Sequence, residues 1–134
     1  MVELKTYRIT NIEFKNQVKN NTQLQLRNQV KYNVNYMESV NKCVGILSFR
    51  IEDADLNPFE FKLDIIADFS YDVDDEKPDI HTGSFDQLFP YVRMIVSTVT
   101  NLAGIPGLNI PTIKLNKNTV NIAKPDDGET SPLN

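Results

Sequence analysis

Tryptophan is absent from this 134-residue chain, which holds one cysteine, one histidine and five glycines. A single cysteine, Cys43, excludes an internal disulfide and a cysteine metal cluster, and a lone thiol fits a reducing compartment. A single histidine, His81, excludes a two-histidine metal site within one chain; it falls in a polar stretch and reads as a loop residue. No apolar run approaches the roughly 18 residues that span a bilayer, so no membrane insertion is expected. Residues 1–14 alternate polar and apolar and lack the apolar core of a secretory signal, so a cytoplasmic location is expected. GxGxxG, Walker A and HExxH patterns are missing. No catalytic set, cofactor or metal is expected, and the chain does not read as an enzyme.

The acidic stretch DVDDEKPDIHTG, residues 72–83, fails as a calcium loop. Counted from Asp72, the fifth and sixth positions are Glu76 and Lys77 and the twelfth is Gly83, where an EF-hand needs Asp or Asn, Gly and Glu. Asp64 and Asp68 share a strand face at about 13 Å, too far apart for paired-carboxylate hydrolysis.

Charge is uneven. The net charge is −4, but residues 1–58 carry +2 and residues 59–134 carry −6. The acidic second half argues against docking on phosphate backbones, so no nucleic-acid partner is expected.

Strand periodicity dominates the first half. In TQLQLRNQVKYNVNYM, Leu24, Leu26, Val30, Tyr32, Val34 and Tyr36 occupy even positions and polar residues the odd ones, a period of two with one wet face. In CVGILSFRIED, Leu47, Phe49 and Ile51 share a face, while Val44 and Ile46 break parity, which predicts a bulge near Gly45 or cover on both faces. In FEFKLDIIADFSYDV every odd position from Phe59 to Val73 is apolar, and only Ile66 is out of pattern. In LKTYRITNIEF the apolar face flips near Thr10–Asn11, again predicting a bulge. Turns are expected at residues 38–41 and in DADLNP. Four strands with short links predict an antiparallel meander.

Residues 85–103 then switch to helical spacing. Phe85, Leu88, Phe89, Val92, Ile95, Val96, Val99, Leu102 and Ala103 recur at i, i+3, i+4. Pro90 predicts a regular helix starting near Gln87, or an earlier turn kinked at the proline. Gly104 and Pro106 predict its stop. Beyond it the pattern is extended, with a short strand expected near Thr119–Ile122. Residues 125–134, PDDGETSPLN, read as a disordered acidic tail, leaving residues 1–124 as one domain. The fold class is α+β: a four-stranded antiparallel sheet packed by one long amphipathic helix.

The run LFPYVRMIVSTVTNLAGIPGLNIPTIKL resembles the signature of the bacterial export chaperone family SecB. Leu88, Phe89, Pro90, Tyr91, Arg93, Gly104, Pro106, Leu108 and Asn109 follow the family pattern in order and spacing, and TYRITNIEF is similar to its first strand. The resemblance covers roughly residues 4–115. It implies an ATP-independent holdase for unfolded or extended polypeptide clients, built as a dimer or tetramer. One helix is not expected to cover four long strands, so surplus apolar surface should face a partner. The expected client groove is Tyr32, Tyr36, Phe59, Phe61, Phe69 and Tyr71 with Ile105, Leu108 and Ile110 of the extension. The expected oligomer contacts are Tyr91, Met94, Ile95 and Thr98. The sequence departs from the family in two respects. The second C-terminal helix is missing. Asn11, Lys15 and Lys62 stand where the family places acidic residues that contact the export motor SecA, which puts SecA docking in doubt. A dedicated regulatory partner such as an antitoxin is the alternative to a broad client range.

Overall fold

A computed structural model describes residues 1–19 and 24–104 and the backbone of 130–133. Five strands and one helix follow in the order β1 (Glu3–Asn16), β2 (Leu26–Met37), β3 (Lys42–Asp53), β4 (Phe59–Ser70), α1 (Lys77–Leu102) and β5 (Thr130–Leu133). The strands form one antiparallel sheet ordered β1-β4-β3-β2-β5. The expected four antiparallel strands and the long helix are all present. The meander holds only for β2, β3 and β4; β1 lies beside β4 rather than β2, a Greek-key order. Tight turns join β2 to β3 and β3 to β4, while β1 pairs with β4 from far off in sequence, Asn16 opposite Phe59 and Glu3 opposite Ser70.

Both tight turns are explained by single residues. Asn41, at φ 53°, tolerates the left-handed conformation that closes the β2–β3 turn. In the β3–β4 turn the buried Asp53 carboxylate accepts hydrogen bonds from Gln25 N (2.8 Å), Asn57 N (3.0 Å) and Asn57 Nδ2 (2.6 Å). One side chain thus ties the chain entering β2 to the turn that starts β4.

The alternation expected of each strand is realised. Val30, Tyr32 and Val34 of β2, Leu47, Phe49 and Ile51 of β3, and Phe59, Phe61, Leu63, Ile65 and Phe69 of β4 are buried on one sheet face. In β1 the register slips between Ile9 and Asn11, as expected, and also between Leu4 and Thr6. Two bulges therefore keep Leu4, Tyr7, Ile9, Ile12 and Phe14 on the helix side of the strand. No bulge occurs at Gly45; the register of β3 runs without a shift on both sides. Glycine is needed there for space. A Cβ would lie 2.4 Å from Tyr32 Oη and 2.9 Å from its ring, so Gly45 is the slot that admits the Tyr32 ring. Val44 and Ile46 break parity because they lie on the opposite, open face, where Ile46 pairs with Ile66 of β4.

Helix α1 begins ten residues before the expected Gln87, and its starting proline is Pro78 rather than Pro90. Pro78 sits where no backbone N–H is required. Pro90 is inside the helix. Its missing N–H and the Asp86 carbonyl fall on the wet side, since both residues are exposed, and water can satisfy that carbonyl. At the other end Gly104, at φ 86°, adopts the left-handed stop expected of it.

The helix lays Ile80, Phe85, Leu88, Phe89, Val92, Ile95 and Val96 on the sheet. Phe85 stacks on Phe89 at 5.1 Å, and Phe89 meets Phe49 edge-on at 6.0 Å. His81 is buried within the helix rather than in a loop, its ring edge-on to Tyr32 at 5.2 Å. The Gln87 side chain clamps β1 to the helix: its Nε2 donates to Val2 O (2.6 Å) and its Oε1 accepts from Leu4 N (2.7 Å). Thr130–Leu133, expected as part of a disordered tail, forms β5. The short strand expected at Thr119–Ile122 and the stop residue Pro106 lie outside the described residues.

Candidate polypeptide-binding surfaces

The groove expected from sequence divides into three groups. Tyr32, Phe59, Phe61 and Phe69 are buried beneath α1; they are core of this chain, and the expectation that they line an open groove is corrected. A period-two pattern marks the face a strand buries, without saying whether the cover is the chain's own helix or another chain. Tyr36 and Tyr71 stay half-exposed beside the start of α1. Their rings meet edge-on at 6.1 Å. Tyr36 Oη donates to Lys77 O (3.3 Å), and the Lys77 ammonium sits 5.1 Å over the Tyr36 ring while pairing with Glu38 (3.0 Å). Desolvation raises the pKa of both phenols, so this corner presents neutral aromatic hydroxyls. Ile105, Leu108 and Ile110 lie outside the described residues.

The helix contacts also divide. Tyr91, Met94 and Thr98 are exposed, Tyr91 at 39% and Met94 at 51%. Ile95 is buried against the sheet and belongs to the core instead. Tyr91 packs on Tyr7 of β1 with ring centroids 4.9 Å apart. On the same side of β1 the strand continues to Ile9 and Ile12, 43% and 41% exposed. These two were legible as apolar-face residues but not as exposed ones, because only the path of α1 decides which part of the face goes uncovered. The helix side of β1 and the outer side of α1 thus carry an uncovered apolar strip.

The open sheet face is mainly polar. Asp64 accepts from Ser48 Oγ (2.7 Å), Arg50 NH1 (3.2 Å) and Asn11 Nδ2 (3.3 Å). Burial pushes its carboxyl up, and these three donors outweigh that and hold it below the usual range. Asn11, Lys15 and Lys62 all lie on this face, where β1 pairs with β4. Val44, Ile46 and Ile66 form its apolar patch, and the residues that broke the sequence pattern were the signal for it.

Cys43 is not set up as a nucleophile. The Cys43 thiol is fully buried, and desolvation pushes it up to about 11, the reverse of a reactive thiolate. Asp72, Asp74 and Asp75 bring carboxylates within 4.8 Å of one another, but the Met1 ammonium pairs with Asp72 and lies 2.9 Å from Asp75. No helix among the described residues is long and apolar enough to cross a membrane.

No known family pattern matches the chain, and a search of curated proteins gives no significant match. The fold does have a solved counterpart. It is similar to a SecB-like chaperone of Mycobacterium tuberculosis, Rv1957, solved in complex with a ChAD peptide from the HigA1 antitoxin. The TM-score is 0.67 at 16% sequence identity, covering 84% of this chain and 90% of that one. An antiparallel four-stranded sheet with one long helix on one face is thus a SecB-like fold, reached here with few residues in common.

Proposed function

We propose that the chain is a SecB-like binding module that holds unfolded or extended polypeptides without ATP and works as a homo-oligomer. The observation that carries the reading is the uncovered apolar strip of Ile9 and Ile12 beside α1, on a fold whose solved counterpart holds a peptide. Exposed apolar side chains on a rigid sheet offer sequence-tolerant binding, and free strand edges offer backbone hydrogen bonds to an extended chain. Clients contact Ile9, Ile12 and the Tyr36–Tyr71 corner. Tyr91, Met94 and Thr98 serve self-association. Docking to SecA is not part of the proposal, because Asn11, Lys15 and Lys62 remove acidic charge from the open face. Aggregation of a chemically unfolded client, followed by light scattering, tests the reading. The protein should suppress it, and Ile12→Asp or Tyr71→Asp should weaken suppression without unfolding the chain. Absence of both suppression and binding of extended apolar peptides sinks the proposal.

A second reading is favoured by the antitoxin peptide held by the solved counterpart: one dedicated partner rather than many clients. Affinity capture followed by mass spectrometry separates the two, since a single stoichiometric partner supports this reading and a broad set of unfolded chains supports the first.

A further inference from the structure

We propose that the outer edge of β2 is a strand-addition site for extended polypeptide, and that the chain's own Thr130–Leu133 occupies it as a displaceable competitor. The inference rests on the client-binding reading above and adds its regulation.

The pairing itself is the first observation. Strand β5 lies antiparallel on β2, with Asn28 opposite Leu133, Gln29 opposite Pro132, Val30 opposite Ser131 and Lys31 opposite Thr130. The edge therefore accepts an extended segment in a defined register. A free edge of a long strand is a template for pairing with any extended chain, and β2 has twelve residues. Only the four from Asn28 to Lys31 are covered by β5. The remainder of the edge runs on from Tyr32 to Met37, toward the half-exposed Tyr36 and Tyr71.

The covering strand is a weak one. It is four residues long, TSPL, and Pro132 has no N–H to donate to the ladder. Charge nonetheless favours this segment. Glu129 directly precedes Thr130 in sequence, and Thr130 lies opposite Lys31. A client with an N–H at every position, able to pair along the whole of β2, outcompetes such a strand, while a short or folded chain does not.

The double variant Thr130→Pro/Ser131→Pro in the full chain tests this, because N–H groups alternate sides along a strand and one of the two lost donors therefore faces β2. Hydrogen exchange is measured at residues 28–31, and binding is measured by anisotropy with a labelled, reduced and carboxymethylated unfolded protein as probe. The expected result is faster exchange at the alternate amides that face β5 and at least threefold tighter probe binding than in the unsubstituted chain. Faster exchange with unchanged probe affinity overturns the competition while leaving client binding standing. Unchanged exchange shows that the strand does not cover the edge and overturns it as well. Absence of probe binding to either protein overturns the client-binding reading and this inference with it.

Discussion

Tyr32 Oη donates a 2.6 Å hydrogen bond to Ser84 Oγ, joining the middle of β2 to α1 across 52 residues of sequence. Ser84 Oγ in turn donates to His81 O (3.0 Å), so the phenol is placed without leaving the serine proton unused. Ser84→Ala strands a buried phenol and should cost about 1–3 kcal/mol. Tyr32→Phe leaves the serine bonded to His81 O and should cost about 1 kcal/mol. Urea denaturation of the two variants checks the order; equal losses would show that the phenol finds another partner.

The same residue sets the alkaline limit. Burial raises the Tyr32 pKa far above its ordinary value of about 10. The unfolded chain ionises first, so the stability contributed by this group is level below about pH 10 and falls as pH rises beyond it. Tyr32→Phe should flatten that fall in denaturation curves taken between about pH 9 and 11. Desolvated Tyr36 and Cys43 leave a remainder.

Gly45→Ala should destabilise by about 1–3 kcal/mol, the usual cost of overpacking a core. The added Cβ would meet the Tyr32 hydroxyl first, at 2.4 Å. Combining it with Tyr32→Phe removes that closest atom, so the double variant should lose less than the sum of the single losses. A double-mutant cycle reads the coupling, and strict additivity would show that the ring rather than the hydroxyl resists.

The Asp53 carboxylate should govern the acid limit. Burial acts to raise its pKa, and the hydrogen bonds from Gln25, Asn57 and Asp55 outweigh it, so the folded value is lowered. Stability from this group is present above the unfolded value of about 4 and is lost as pH falls through the folded one. Asp53→Asn should lower stability at neutral pH and shallow the acid transition between about pH 2 and 5. Thermal unfolding across that range measures both.

Self-association should respond to Met94→Glu and Tyr91→Glu. Both side chains are exposed in the single chain, so the variants should keep their fold by circular dichroism while sedimenting at lower mass. Ile95→Glu, in the core, should instead unfold the protein. A monomeric mass for the unsubstituted chain at micromolar concentration counts against the oligomer.

Much of this was open to a reader of the residues alone. Period-two runs identified β1 to β4 and the buried faces of β2, β3 and β4, since one strand face must be apolar wherever a sheet meets a core. Helical spacing identified the buried stripe of α1, and the flip at Thr10–Asn11 identified a bulge. Local chemistry sufficed for these because each depends on neighbours in sequence.

Other features were decided by distant contacts. Strand order depends on whether β1 finds β4 or β2, and periodicity is the same either way. Pro90 looked like a helix start because its tolerance inside α1 depends on facing water. Whether Tyr32 and Phe61 are core or groove, and whether Ile9 and Ile12 are covered, follows from the path of one helix over the sheet. An apolar pattern determines which side chains leave water; only the tertiary arrangement decides which surface takes them in.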